Sequence, residues 1–384
     1  MRLLIFSEFS AGRFLEGTNL ITFAVAKHLA GRGHQVVVLT PHWRQDRGVE
    51  ERYFREDGVE IYKYPFPGVA NPVLRTLYYF LNGLRLHRRY RFDIVLGLYT
   101  LPPSLAAVLL GCATGMKKVG TIWEPVACER IGRLPFLPPI LRRADGILTM
   151  AQDVKKRIVE ALSLPPDKVT VIPGFSDLTL FSPGPKSTGL LEAYALEGKF
   201  VILFVGRISA LKGAPDLIKA VEGLEDVKVL MVGREVEHES FRDLIGHLGL
   251  GNRVHLLGYQ EQEVLSDLYR TCDCFVLPSL NEGFGLVLAE AMACGKPVIV
   301  SDAPPLPEVA GRAGLVFRRG DIQGLRRAIL KLRDSSALRE ELGKEALERA
   351  RLFDKEKVMD QYLQFFVTLA PPSNHPSSST SSGT

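Results

Sequence analysis

No apolar run in this 384-residue sequence is long enough to cross a membrane. The stretch from Leu101 to Gly115 is broken by Pro102, Pro103, Ser104 and Gly111. The opening run Leu3–Phe6 is short and meets acidic Glu8 at once, so it reads as a first buried strand and not as a secretory leader. Cysteine is scarce. The five present (Cys112, Cys128, Cys272, Cys274, Cys294) are odd in number and none forms a Cys-x-x-Cys pair, which argues against a disulfide framework or a structural zinc site. A reducing cytoplasm is the simplest expected setting, with ordinary core packing for Cys272 and Cys274, which flank Asp273 at strand spacing. No Gly-x-Gly-x-x-Gly follows any strand, which argues against a dehydrogenase. No acidic cluster suggests a bound metal, and neither a cofactor nor a nucleic-acid partner is expected.

What is present is the pattern of an α/β enzyme. The length fits two domains of roughly 150–200 residues. Short apolar runs at Leu3–Phe6, Val36–Leu39, Ile94–Leu96, Val119–Ile122, Ile147–Met150 and Val169–Ile172 alternate with helical patterns, as in a parallel sheet. Pro173, Gly174, Pro183, Gly184 and Pro185 crowd a polar stretch that reads as a linker, 173–198. The alternation restarts at Val201–Val205, Val227–Val232, Val254–Leu256, Cys274–Leu277 and Pro297–Ser301. The expected organisation is therefore an N-terminal domain over 1–172, a C-terminal domain over 199–353, a last helix over 354–369 and a disordered Ser/Thr/Pro-rich tail from 371 to 384. Charge is uneven: residues 1–180 hold 24 Lys and Arg against 16 Asp and Glu, the remainder 24 against 27. That asymmetry suits an anionic acceptor or membrane surface on the N-terminal half, or plain solvated charge.

Ligands of open parallel sheets bind beyond the carboxyl ends of the strands, so two such domains imply a site in the cleft between them. After Val201–Val205 comes Gly206-Arg207-Ile208-Ser209-Ala210-Leu211-Lys212-Gly213, a loop with a glycine at each end and two cations between. It suits a diphosphate, each charge-assisted bond contributing about 1.5–3 kcal/mol; two solvated surface cations are the plainer reading. Further on, Pro278-Ser279-Leu280-Asn281-Glu282-Gly283-Phe284-Gly285-Leu286 leads into a helix that carries Glu290 and stops at Gly295 and Pro297. Free amides from Gly283 to Leu286 would face an anion at the helix N-terminus. Glu290 has Ala289, Ala291, Met292 and Ala293 as neighbours, so it is expected inside, where a carboxylate needs a partner.

The Glu282-x7-Glu290 element, with Pro278-Ser279 before it and Glu290-Ala-Met-Ala-Cys-Gly-Lys-Pro-Val-Ile299 at its end, resembles family-4 retaining glycosyltransferases. So do Gly33-His34-Gln35-Val36, Val171-Ile172-Pro173-Gly174, Phe204-Val205-Gly206-Arg207 with Lys212-Gly213, Leu257-Gly258-Tyr259 and Phe353-Asp354. The resemblance implies the GT-B fold, two Rossmann-like domains facing across a cleft with the last helix crossing back to the first. It implies a nucleotide-diphosphate sugar as donor and transfer with retention, without metal. At matching positions, Arg207 and Lys212 would bind the diphosphate, Glu290 the ribose, and Glu282 with the Gly283, Phe284, Gly285 and Leu286 segment the sugar and its phosphate. Gly258 and Tyr259 would lie by the base; Gly17, Gly206 and Gly233 would let backbone approach the nucleotide.

Three departures stand out. Relatives carry Gly-Gly before the first helix, where this chain has Glu16-Gly17. Relatives carry a pair of glycines near Asp302-Ala303-Pro304-Pro305. Trp123-Glu124-Pro125 stands where many carry a functional His, and the Tyr99-Thr100 region has none either. Glu124 reads as a polar substitute touching acceptor or donor sugar, or as a salt-bridge partner. His34 occupies the family's usual strand-leading place and is expected to be structural. Residues 71–92 mix Leu74, Leu77, Tyr78, Phe80, Leu81 and Leu84 with Arg75, Arg85, His87, Arg88, Arg89 and Arg91, fitting an anionic membrane that carries a glycolipid or cell-envelope acceptor, or a packed helix with a solvated basic end. Two other functions compete with transfer to an acceptor hydroxyl: a nucleotide-sugar epimerase of similar build and a nucleotide-binding, non-catalytic partner subunit.

Overall fold

The computed structural model describes residues 1–8, 17–42, 53–66, 71–98, 101–236 and 238–370. Glu16, Tyr99, Thr100 and the tail from 371 lie outside the described residues. The chain divides into two compact units, one formed by Met1–Thr121, Pro135–Leu148 and the chain from Met359, the other by Ile122–Leu134 and Thr149–Val358.

Eight strands form the first sheet: β1 (Arg2–Phe6), β2 (Gln35–His42), β3 (Tyr53–Glu56), β4 (Val59–Pro65), β5 (Ile94–Gly97), β6 (Lys117–Thr121), β7 (Gly146–Thr149) and β8 (Val169–Val171). Their order is β3-β4-β2-β1-β5-β6-β7-β8. Pairings from β4 through β7 are parallel, while β3 turns back antiparallel on β4 through Asp57 and Gly58, both at positive φ. The alternating sequence pattern foretold the parallel strands but not this hairpin, whose polar, exposed β3 carries no apolar run. The core of this unit packs Phe6, Leu39, Tyr79, Val95 and Leu110 together. The helix Pro72–Tyr90 is started by Asn71, whose Oδ1 accepts from the Val73 and Leu74 amides, and by Pro72 in its first turn; it ends where Arg91 turns left-handed.

Six parallel strands form the second sheet: β9 (Phe200–Val205), β10 (Val227–Val232), β11 (Val254–Gly258), β12 (Cys274–Leu277), β13 (Val298–Ser301) and β14 (Gly314–Phe317), in the order β11-β10-β9-β12-β13-β14. Both β9 and β10 are buried along their whole length, which explains their unbroken apolar sequences: helices cover both faces. β14 was not foreseen. Cys272, expected in strand with Cys274, instead closes the helix Gln262–Thr271; strand β12 starts at Cys274, and both thiols are buried. Asp273 between them accepts from the Val201 amide (2.8 Å) and pairs with Lys186 (2.7 Å), tying the ends of β9 and β12 together. Residues 173–198 are ordered and include the helix Thr188–Ala193. Among the described residues no helix is long and apolar enough to cross a membrane.

Where β9 and β10 end, two backbones touch. Gly233 has φ 134°, and a Cβ there would lie 1.9 Å from the Gly206 carbonyl oxygen. Gly233→Ala must therefore push the two strand ends apart as well as strain its own backbone. A loss of about 2–3 kcal/mol is expected, read as a lower midpoint in urea; an unchanged midpoint would show that the ends yield freely.

Candidate active site at the carboxyl edge of the second sheet

The edge is built by glycines. The Gly206 N–H donates to the Val232 carbonyl (2.9 Å) and the Gly233 N–H to the Gly258 carbonyl (2.8 Å), so three glycines line the ends of adjacent strands β9, β10 and β11. Beyond Gly206, Ile208 is buried and bridges to Glu235, with amide bonds Ile208 to Arg234 (2.9 Å) and Val236 to Ile208 (3.1 Å). Arg207 is thus held by pinned backbone on both sides while its side chain is exposed and makes no ion pair among the described residues.

The chain then makes a 3-10 turn over Ala210–Lys212, capped by Ser209. Gly213 closes it at φ 72°, with its Cβ position only 2.1 Å from the Pro278 carbonyl oxygen. Only glycine lets the turn sit against the end of β12. The Leu280 amide donates to the Leu211 carbonyl (2.9 Å) across the same contact. The result is that Lys212 Nζ stands 2.6 Å from Glu282 Oε1, an ion pair whose two side chains are mostly buried. Buried Ser279 donates its hydroxyl to the same Oε1 (3.0 Å), and Ser301 in turn donates to the Ser279 carbonyl. Such a pair persists because hydrogen bonds offset the desolvation of both charges.

Past Glu282, Gly285 takes a left-handed conformation (φ 85°) and starts the helix Leu286–Ala293 with no side-chain cap, leaving its first amides free of one. A Cβ at Gly283 would meet Trp123 and Glu124 at ordinary van der Waals distance, its three nearest atoms lying 3.6–3.9 Å away. Phe284 offers only backbone to a ligand. Its ring is buried, 5.2 Å from Phe353 edge-on, and fills the space left by Gly174. Glu290 is 7% exposed. Tyr269 donates its hydroxyl to Glu290 Oε2 (2.9 Å), and burial raises the carboxyl pKa to about 7 against the pull of that bond. Tyr259 is exposed beside Gly258, at the end of β11. Gly17 opens the helix Gly17–Gly31 in the other unit. Lys296, near the end of the Glu290 motif, is structural. Its Nζ caps the C-terminal end of the helix Gln262–Thr271 at the Arg270 (2.8 Å) and Cys272 (2.9 Å) carbonyls.

Lys212, Glu282 and the Gly283–Leu286 turn are therefore brought together, with Arg207 and the glycine edge on the same strand ends. Sequence reasoning missed Ser279 and Tyr269 as partners of the two glutamates. Ser279 lies within the motif that leads to Glu282; nothing local marks Tyr269, whose contact is set by tertiary packing.

Residues 192–349 match the family described as Glycosyl transferases group 1, and residues 16–180 match Glycosyltransferase Family 4. The D-inositol 3-phosphate glycosyltransferase of Corynebacterium glutamicum is 30% identical over 368 residues, 88% of each chain. The chain belongs to the family-4 glycosyltransferases. The match to the protein of the same name in Mycobacteroides abscessus is 34% identical but local, covering 46% of this chain and 42% of that one. In three dimensions this glycosyltransferase is similar to sucrose-phosphate synthase from Thermosynechococcus elongatus, with a TM-score of 0.83 at 21% identity over 96% of this chain and 98% of that one. It is also similar to Anabaena Alr3699/HepE in complex with UDP-glucose, with a TM-score of 0.78 at 19% identity over 96% and 100%. The fold of the glycosyltransferase is thus GT-B.

Burial of Glu290 makes a pH-dependent contribution to folding. With its pKa raised from the usual 4.5 to about 7, the favourable contribution is complete below the unfolded pKa and is lost as pH rises through about 7. Glu290→Gln keeps an acceptor for Tyr269 and removes the titration. Relative to the parent, the variant should gain up to ~3 kcal/mol between pH 5 and pH 8. Parallel Tm-against-pH curves for the two proteins would mean Glu290 titrates normally.

Proposed function

We propose that this enzyme transfers a sugar from a UDP- or GDP-sugar, with retention and without metal, to an acceptor hydroxyl carried by an anionic glycolipid or cell-envelope precursor. The observation that carries the donor side is the cation arrangement at the strand ends: an exposed Arg207 on pinned backbone, without an ion pair among the described residues, and Lys212 aimed by Glu282 at 2.6 Å. A guanidinium presents a planar fork to phosphate oxygens, and a positioned ammonium adds a compact charge. Departure of the sugar leaves a further negative charge on the diphosphate. Cations already in place stabilise that charge without reorganising, so they act mainly on the transition state. Glu282 then serves twice, orienting Lys212 and holding a sugar hydroxyl beside the Gly283 amide. Glu290, ionised, would accept hydrogen bonds from ribose hydroxyls, and the exposed ring of Tyr259 would lie along the base. Retention fits attack on the face from which the diphosphate leaves, the departing phosphate oxygen taking the acceptor proton. The Alr3699/HepE complex with UDP-glucose, on a similar fold, supports a nucleotide-sugar donor.

The acceptor side rests on charge and on one helix face. The unit formed by Met1–Thr121, Pro135–Leu148 and the chain from Met359 holds 18 Lys and Arg against 11 Asp and Glu, so the basicity of the chain resides there. On the helix Pro72–Tyr90, Val73 (70% exposed), Leu74, Leu77 (48%) and Leu81 (48%) form an outward apolar stripe that continues into exposed Arg85, Arg88 and Arg89. Arg75 turns inward instead, to Glu8 at 2.6 Å. An apolar stripe with a basic end suits an anionic bilayer surface.

Two measurements test these halves separately. Thermal unfolding with UDP, GDP and their sugars should reveal one stabilising nucleotide, worth ~2.7 kcal/mol at about 100 times its Kd, and Arg207→Ala should abolish the shift; no shift in folded parent protein would remove the donor assignment. Sedimentation with phosphatidylglycerol vesicles should capture the protein, with little capture by phosphatidylcholine. Leu77→Asp should weaken capture about tenfold with an unchanged Tm, and equal capture of parent and variant would rule out the helix as the contact.

A further inference from the structure

The opposite, amino edge of the second sheet gathers positive charge that the donor edge does not use. Lys199 stands one residue before β9, Lys228 is the second residue of β10, Arg253 stands one residue before β11 and His255 is its second residue. Across the parallel ladder Val201 lies opposite Lys228, and Leu230 opposite His255. Side chains alternate along a strand and partners in register point the same way, so all four share one face of the sheet. Lys228 is separated from Gly233 by about 16 Å of strand.

The fold leaves most of the hydrogen-bonding capacity of this cluster unused. Lys228 is only 8% exposed, yet it makes no ion pair among the described residues; its Nζ donates to the Asn252 carbonyl (2.6 Å) and keeps two further N–H groups. Half-buried Lys199 likewise donates to the Glu225 carbonyl (3.3 Å) and has no ion pair among the described residues. The carboxylate that reaches the cluster is that of Glu225, 3.3 Å from Arg253 Nη1 and itself 83% exposed. Burial, and after it the charges of Lys199 and Arg253, hold the Lys228 pKa below its usual value, so like charges face one another here. His255 packs against Tyr194, ring centroids 5.2 Å apart, and its Nε2 is buried without a hydrogen-bond partner among the described residues.

We propose that this face is a second anion site, taking a phosphate group, inorganic or carried by a small ester, among Lys199, Lys228, Arg253 and His255. Partly buried like charges are unfavourable unless a counter-charge offsets them, and one exposed carboxylate does not offset three cations. A phosphate brings up to two negative charges and several acceptor oxygens. They match the remaining ammonium N–H groups, the Arg253 guanidinium and, with the proton on Nε2, the His255 ring. Glu225, which reaches into solvent, is the group an incoming anion displaces. The Tyr194 ring beside His255 offers an apolar wall to the organic part of an ester. The site stands independently of the donor reading, at the other end of the same strands.

Thermal unfolding at constant ionic strength, with chloride replaced by inorganic phosphate or by glucose 6-phosphate, tests this on the parent, Arg207→Ala, Lys228→Gln and Lys199→Gln. Phosphate should raise the Tm of the parent and of Arg207→Ala alike, and the apparent affinity should fall about tenfold in each lysine variant. If Lys228→Gln does not fold, Lys199→Gln carries the test, because its side chain lies nearer the surface. Equal shifts from the two ligands assign the site to phosphate itself, and a larger shift from glucose 6-phosphate assigns it to an ester. A shift lost in Arg207→Ala and kept in the lysine variants would place the anion at the donor edge and overturn the proposal. So would a parent whose Tm is the same in phosphate and chloride.

Discussion

Everything at the second sheet's edge depends on two places where backbone meets backbone at a distance no side chain permits. Gly233 lies against the Gly206 carbonyl and Gly213 against the Pro278 carbonyl. The first contact draws the ends of β9 and β10 together and leaves Arg207 between fixed points. The second seats the 3-10 turn on the end of β12, and with it places Lys212 beside Glu282. Loops are usually where a fold is most mobile. Here glycines make the loops part of the packed scaffold, so the Lys212 ammonium and the backbone that carries Arg207 are held in place by the fold itself.

The charge of the edge follows from those positions. Glu282 offsets Lys212, and burial raises the Glu290 pKa to about 7. At neutral pH the edge therefore carries the unpaired Arg207 and a partly protonated Glu290, a combination that does not repel an anion. A diphosphate would gain Arg207 directly and could draw on Lys212 without displacing Glu282, since that carboxylate is held separately by Ser279. Ribose hydroxyls, in turn, favour the ionised form of Glu290. If the donor binds as proposed, its binding is linked to proton release from Glu290.

Most parallel strands were legible as short apolar runs separated by helix-length segments, whereas β4 and β14, equally parallel, were not picked out. The hairpin β3–β4 was not, although Asp57-Gly58 is a strong turn signal: Tyr53–Glu56 is polar and exposed, so periodicity had nothing to detect. The Glu282 and Glu290 elements were visible as motifs, but their partners were not. Tyr269 reaches Glu290 across 21 positions and Lys212 reaches Glu282 across 70, distances at which only the assembled sheet decides proximity. The cysteine reading shows the same limit: spacing placed Cys272 in a strand, whereas a helix end and Lys296 claim its backbone.

Trp123 and Glu124 lie where the sequence pattern and the packing part company. In sequence they are a departure, a bulky ring and a carboxylate where relatives carry His, within the basic half of the chain. In the structure they belong to the acidic unit and border Gly283, one residue from Glu282. Two carboxylates border one turn, one neutralised by Lys212 and one without a partner among the described residues. A protein stabilised only by packing would lose little by replacing Glu124 with a neutral residue and Trp123 with phenylalanine.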